Sequence, residues 1–106
     1  MDNMPVIEHE SKNKLDIPTN GKFAIVFHLP GHCAGCKVAV ETLKKKKLEN
    51  TTVVLVDAGD EANRYLINLF QATTAPTVVV FNDGEGVGRM AGLREFQAKQ
   101  QELLGD

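Results

Sequence analysis

The sequence has few of the features that a membrane protein, a nucleic-acid-binding protein or a disulfide-stapled scaffold requires. Its 106 residues include no tryptophan, one tyrosine and two cysteines, and the formal net charge is -2. Without an excess of positive charge, nothing points to nucleic acid or to an acidic membrane surface as a partner. No apolar run approaches the length of a transmembrane helix, and residues 1–5 lack the basic start and apolar core of a signal peptide. We therefore expect a cytoplasmic protein.

The length and the cysteine content further narrow the class of protein. A chain of 106 residues with 42% hydrophobic residues fits one domain with one core. We expect residues 1–21 to form an N-terminal extension or edge segment, and residues 22–106 to form the domain. Because a cytoplasmic compartment is reducing, two cysteines three positions apart point to redox chemistry rather than to a structural bridge.

The hydrophobic pattern predicts an α/β fold built on a mixed four-stranded sheet flanked by helices. Short apolar, β-branched runs predict strands at residues 23–29, 52–57, 77–81 and 87–90. Helical spacing predicts helices over residues 33–48, after an N-cap at Asp60, and from Leu93 to Leu104. The first two of these strands should be parallel, and the turn around Asp83–Gly84 should make the last two an antiparallel hairpin. The polar N-terminal segment allows only a short edge strand at Val6–Ile7.

The segment that carries chemistry is the Cys-Ala-Gly-Cys motif between the first of these strands and its helix. A thiol at Cys33 would face the unpaired N–H groups and the positive dipole end of that helix, which favour the thiolate. The thiolate is the species that attacks disulfides, and His32 and Lys37 could add positive potential. Cys36 follows one turn later, within reach of a mixed disulfide at Cys33. A CxxC motif between strand and helix of a βαβ unit is a strong signal for a redox site.

At this point the chain resembles the thioredoxin family from residue 22 to its C-terminal end. The resemblance rests on the CxxC followed by Lys37, on Asp57 at the end of a strand, on residues 74–77 before the next strand, and on the Asn82–Gly84 turn. It implies a thioredoxin fold whose N-terminal strand and helix are weak or reduced. Since that reduced layout is also the minimal glutaredoxin-like one, glutaredoxins are a lesser relative, although no glutathione site is evident.

The resemblance also implies which residues meet a substrate. Pro76 would be cis and face the disulfide, Ala75 would offer backbone groups to an extended peptide, and Gly92 would lie beside the same groove. Around the cysteines the chain departs from the family. His32 replaces a tryptophan, and Ala34 and Gly35 replace Gly-Pro, so the partner range and the redox potential should differ.

A second departure concerns the buried carboxylate that thioredoxins carry beneath the second cysteine. The matching position here is Phe27, and the lysine that usually partners the carboxylate is matched by Val53. We therefore expect Phe27 to lie beneath Cys36, leaving that thiol without a proton acceptor. His28 should point to the opposite face of the strand from Phe27. There it would be a buried structural histidine, with a role as general base as the alternative.

The leading functional hypothesis is a protein disulfide reductase with Cys33 as nucleophile and Cys36 as resolving thiol. The resemblance implies protein disulfide substrates and a thioredoxin reductase or similar flavoenzyme as electron donor, with no cofactor bound to the chain itself. We expect a monomer with no metal. Two alternatives stay open: a redox-gated or redox-inactive binding module on the same scaffold, and a metal site built from His28, His32, Cys33 and Cys36.

Overall fold

The computed structural model describes residues 6–46 and 50–105 of the chain. Residues 1–5 and the predicted end of the first helix at Leu48 lie outside these ranges. The elements are β1 (Val6–Glu8), β2 (Lys22–His28), α1 (Ala34–Lys45), β3 (Thr51–Asp57), a 3-10 turn (Glu61–Asn63), α2 (Arg64–Phe70), β4 (Thr77–Asn82), β5 (Glu85–Ala91) and α3 (Leu93–Leu104). No helix within the described ranges combines the length and the hydrophobicity needed to cross a membrane.

The strands form one mixed sheet in the order β1-β3-β2-β4-β5. Strands β2 and β3 are parallel, whereas β4 pairs antiparallel with both β2 and β5. These pairings confirm the predicted βαβ unit, the hairpin and the mixed α/β architecture. Among the described residues the sheet has five strands rather than four, because Val6–Glu8 adds a parallel edge strand against Val53–Leu55 of β3.

Side chains of the central strand β2 alternate between two separate cores. Ala24 and Val26 belong to the core on one face of the sheet, which α1 and α3 cover with Ala39, Leu43, Phe96 and Leu104. Phe23, Ile25 and Phe27 belong to the core on the other face, which α2 covers with Leu66 and where Leu15 and Ile17 also pack. Because neighbouring strand residues point to opposite faces, position along β2 decides which helix a side chain meets.

The second helix is shorter than the sequence pattern suggests. Asp60 caps as predicted, its carboxylate accepting from the Ala62 N–H at 3.0 Å, but it caps the 3-10 turn, and α2 begins only at Arg64. Leu66 is buried, whereas Tyr65 and Leu69 are 50% and 68% exposed. Tyr65 and Leu69 therefore do not share the buried face of α2 on which Leu66 lies.

Candidate redox site

The two cysteines form a disulfide at the N-terminal end of α1, with their Cα atoms 5.2 Å apart. Cys33 is the N-cap of the helix, and its Sγ accepts a hydrogen bond from the Cys36 N–H at 3.1 Å. Cys33 is partly exposed, whereas Cys36 is only 2% exposed. The arrangement presents one sulfur to solvent, shields the other, and gives the outer sulfur a backbone N–H that stabilises a thiolate.

The loop before β4 lies against this disulfide. The Ala75–Pro76 peptide bond is cis, as the resemblance implies, and the Cys33 Sγ lies 3.7 Å from the Ala75 carbonyl oxygen. Gly35 packs closely on this loop, since a Cβ atom at Gly35 would lie 3.6 Å from the Pro76 Cδ. Backbone groups of the loop therefore border the exposed sulfur.

The start of α3 completes the same surface. The Gly92 N–H donates to the Pro76 carbonyl at 2.7 Å, and Gly92 has a φ of +90°, a backbone region that favours glycine. The following residue, Leu93, would lie 3.4 Å from a Cβ at Gly35. Leu93 was identified from the sequence only as a helix position. Its contact with Gly35 adds an apolar side chain next to the disulfide.

His32 and Ala34 lie at the rim of the site, on either side of Cys33. Both are exposed. His32 ends a turn closed by a hydrogen bond from its N–H to the Leu29 carbonyl at 3.1 Å, and Ala34 is the first residue of α1. The structure thus places residues 32–36 beside Ala75, Pro76 and Gly92, which together are the residues assigned to the site from the sequence. Contact of these residues with a substrate stays a prediction.

A cleft of about 460 Å³ opens on the other side of the disulfide. It runs between α1 and the edge of the sheet where β1, β2 and β3 end. Cys33 and Cys36 line it together with His28, and the remaining lining includes apolar Leu29, Val40 and Leu55 and charged Glu8, Lys37, Glu41 and Lys44. Cys36 therefore lines a solvent-connected cleft of mixed polar and apolar character rather than a sealed apolar core.

Thioredoxins of known sequence are similar to this chain. The thioredoxin of Mycolicibacterium smegmatis is 29% identical over 91 residues, which cover 83% of this chain and 81% of that protein. The thioredoxin of Mycobacterium tuberculosis H37Rv is 28% identical over 89 residues, covering 83% and 77%. No family model matches the chain.

Solved structures agree on the fold. Thioredoxin f2 of Chlamydomonas reinhardtii superposes with a TM-score of 0.74 at 17% identity, covering 95% of this chain and 98% of that one. Oxidised mitochondrial thioredoxin 3 of Saccharomyces cerevisiae gives 0.66 at 23% identity, covering 79% and 77%. The chain is a thioredoxin-like protein. With its Cys33–Cys36 disulfide, it is a thiol–disulfide oxidoreductase.

In this thioredoxin-like site, Phe27 does not lie beneath Cys36, so that expectation is wrong. Phe27 is fully buried in the core on the α2 face, with its ring centroid 6.1 Å from that of Phe70. His28 does point to the opposite face from Phe27, as expected, and that face is the one covered by α1. The side chain that borders the cleft with Cys36 is therefore an imidazole, not a phenyl ring.

His28 is 8% exposed and lies at the end of β2, paired with Asp57 of β3. Burial lowers the pKa of His28 below its ordinary value, and the positive charge of Lys44 adds to this. The negative charges of Glu8 and Asp57 oppose the lowering without cancelling it. The imidazole is therefore mainly neutral at neutral pH, and a neutral imidazole can accept a proton.

The metal site considered from the sequence finds no support in the geometry. Within residues 6–46 and 50–105, no group of three or more His, Cys, Asp or Glu side chains is placed to hold a metal ion. Cys33 and Cys36 are joined to each other, and a metal would need them as separate thiolates.

The loop that carries Ala75 and Pro76 is anchored at its start by Arg89 of β5. The guanidinium donates to the Phe70 carbonyl at 2.7 Å and to the Gln71 carbonyl at 3.0 Å. These are carbonyls at the end of α2, which have no partner within the helix. Sequence reasoning did not identify Arg89, because its partners lie 19 and 18 positions away.

Replacing Arg89 with alanine should lower the free energy of unfolding by about 1 kcal/mol, since two charge-assisted hydrogen bonds are lost at an exposed position. Arg89→Lys should restore only part of the lost stability, because an ammonium group does not reproduce the geometry with which the guanidinium donates to two carbonyls. Urea denaturation of both variants measures the effect, with Arg94→Ala as the control at an exposed arginine. Equal stability of the Arg89→Ala and Arg94→Ala variants would contradict the anchoring role.

Proposed function

We propose that the protein reduces disulfides in other proteins through a Cys33–Cys36 dithiol cycle. The observation that carries the proposal is the position of Cys33 as the N-cap of α1, partly exposed and facing the cis-proline loop. In the reduced protein the Cys36 N–H and the helix dipole favour the Cys33 thiolate. That thiolate attacks one sulfur of a substrate disulfide and forms a mixed disulfide.

The second half of the cycle belongs to Cys36. Its thiolate attacks the Sγ of Cys33, the bond between Cys33 and the substrate sulfur breaks, and the substrate leaves as a thiol after taking up a proton. Two electrons pass from the dithiol to the substrate, and the disulfide seen in the structure is the product. Burial of Cys36 keeps it from competing with Cys33 for external disulfides.

Substrates would be extended segments of proteins that lie along Ala75, Pro76 and Gly92. The proximity of the Ala75 carbonyl to the Cys33 sulfur, at 3.7 Å, supports this placement. His32 and Ala34 border the exposed sulfur, and Leu93, which lies next to Gly35, supplies an apolar side chain. No tryptophan precedes Cys33, because His32 stands there. The rim should therefore select partners differently from a thioredoxin with a tryptophan before the first cysteine.

The wider setting follows from the thioredoxin resemblance. We propose a thioredoxin reductase or a similar flavoenzyme as the electron donor, a cytoplasmic location and a monomeric state. We also retain the division into an N-terminal segment of residues 1–21 and a redox domain of residues 22–106. Gel filtration of the full chain tests the monomeric state.

An insulin-reduction assay with dithiothreitol tests the reductase activity. The protein should accelerate the precipitation of reduced insulin at catalytic concentrations, and Cys33→Ala should return the rate to that of dithiothreitol alone. Leu69→Ala, on the exposed side of α2, is the control that should keep the activity. A wild-type protein whose disulfide is reduced by dithiothreitol but which does not accelerate insulin reduction would be a binding module instead.

A further inference from the structure

The cleft behind the disulfide is lined by His28, a residue to which the dithiol cycle described above assigns no role. Of the ionisable residues that line it, His28 and Cys36 are buried and Cys33 is partly exposed. The other four are exposed: Glu8, Lys37, Glu41 and Lys44. We propose that His28 is the proton acceptor for Cys36 when Cys36 resolves the mixed disulfide. The proposal rests on the reductase function and assigns one further residue to it.

The geometry that carries the proposal is the alternation of side chains along β2. Val26 packs in the core beneath α1, and two positions later His28 reaches the end of the strand on the same face, where the cleft begins. Cys36 lies in the first turn of α1, with its side chain toward that face. The sheet and the helix thus place both residues on the lining of the same cleft. The proposed transfer takes place there, either directly from the thiol to the imidazole or through one water molecule.

The step balances as a proton transfer coupled to disulfide exchange. A neutral imidazole nitrogen takes the proton of the Cys36 thiol, and the thiolate attacks the Cys33 Sγ. The new bond joins Cys36 to Cys33, the bond from Cys33 to the substrate sulfur breaks, and the departing thiolate is protonated by the imidazolium or by solvent. His28 ends the cycle neutral, and no oxidant or reductant other than the dithiol and the substrate is required.

Burial and the charges around His28 set its pKa, and this pKa determines how the rate of resolution depends on pH. Glu8 of β1 and Asp57 of β3 raise its pKa, Lys44 of α1 lowers it, and burial, which is the largest influence, leaves it below the ordinary value. The two other charged side chains that face the cleft from α1 are Lys37 and Glu41. Since an imidazolium cannot accept a proton, resolution should slow as the pH falls through the His28 pKa and should level off above it.

Stopped-flow mixing of the reduced protein with a chromogenic aromatic disulfide separates the two steps. The first coloured thiol is released by Cys33 at a rate that depends on reagent concentration, and the second is released by Cys36 at a rate that does not. We expect His28→Gln to slow the second release by roughly 100-fold near neutral pH, while the first release stays unchanged. In the variant the second release should keep rising with pH, because hydroxide then removes the proton.

Three further variants distinguish proton transfer from a structural effect. His28→Asp places a carboxylate at the same position and should restore much of the second release. Added imidazole should partly rescue His28→Ala, because the cleft is open to solvent. His9→Gln, the same substitution just beyond β1 and outside the site, should behave as wild type.

Several results would overturn the assignment. One is a His28→Gln protein with the wild-type second release. Another is a slower second release in His28→Gln that keeps the wild-type pH profile, together with no recovery in His28→Asp and no rescue of His28→Ala by added imidazole. If the His28→Gln variant does not fold, the pH profile of the wild type decides. A rate of second release that rises with hydroxide concentration and never levels off excludes an imidazole acceptor. If the wild type shows no first release, the reductase function itself fails, and this role of His28 fails with it.

Discussion

A Cys36→Ser variant is expected to accumulate as mixed disulfides with its protein substrates, whereas a Cys33→Ser variant is not. Without the Cys36 thiol, the bond formed by Cys33 has no internal attacker and persists. Without Cys33, the remaining thiol is 2% exposed and cannot approach a protein disulfide. Insulin reduction should fall by more than about 100-fold in both variants, since each removes one of the two thiols that the cycle uses.

Non-reducing electrophoresis of the variants after incubation with an oxidised protein substrate measures the trapping. The captured species should dissociate with dithiothreitol, and a Cys33→Ser/Cys36→Ser double variant should capture nothing. Alkylation of the reduced wild type at neutral pH is an independent check, because it should label Cys33 before Cys36. Trapping by Cys33→Ser but not by Cys36→Ser would reverse the two roles.

A Phe27→Asp variant should lose about 4 kcal/mol or more of its free energy of unfolding without faster resolution by Cys36. The substitution removes a fully buried ring that packs against Phe70, which by itself costs about 3–5 kcal/mol. It also places a carboxyl group in an apolar core with no partner, which adds a further penalty. Because the aspartate would face α2, it could not take the proton of Cys36 on the α1 face.

Urea denaturation and the second coloured-thiol release measure the two effects separately. Phe27→Leu is the control, since it keeps an apolar side chain and should cost less than Phe27→Asp, although the smaller side chain leaves a cavity. Should Phe27→Asp be too unstable to purify, Phe27→Asn tests the same position without a charge. A stable Phe27→Asp protein with accelerated resolution would show that Phe27, and not His28, faces Cys36 in solution.

The sequence by itself determined the features that depend on neighbouring residues. Apolar and β-branched runs defined β2, β3 and β4, and the Asp83–Gly84 pair, both at positive φ in the structure, defined the hairpin. The CxxC motif after β2 placed the redox site at the N-terminus of α1, because a strand followed by a helix leaves that helix end open. The family resemblance added the cis Ala75–Pro76 bond, which backbone preferences alone would not have predicted.

Only the tertiary structure decided which side chain accompanies Cys36. Phe27 and His28 are neighbours, and the alternation along a strand says only that they face opposite ways. Which of them meets α1 depends on how the chain leaves β2, crosses over the sheet and enters the helix. The sequence resemblance to thioredoxins selected Phe27, whereas the packed sheet places His28 on the lining of the cleft with Cys36.

The same reason applies to the contacts that join distant segments. Arg89 reaches the end of α2, and Leu93 meets Gly35, because the β4–β5 hairpin and α3 fold back over the site. β1 becomes a fifth strand because β3 has a free edge that accepts it. Local sequence patterns specify an element and its amphipathic face, but the partner of that face is selected by the packing of the whole chain, where burial of apolar surface and satisfaction of backbone polar groups must succeed together.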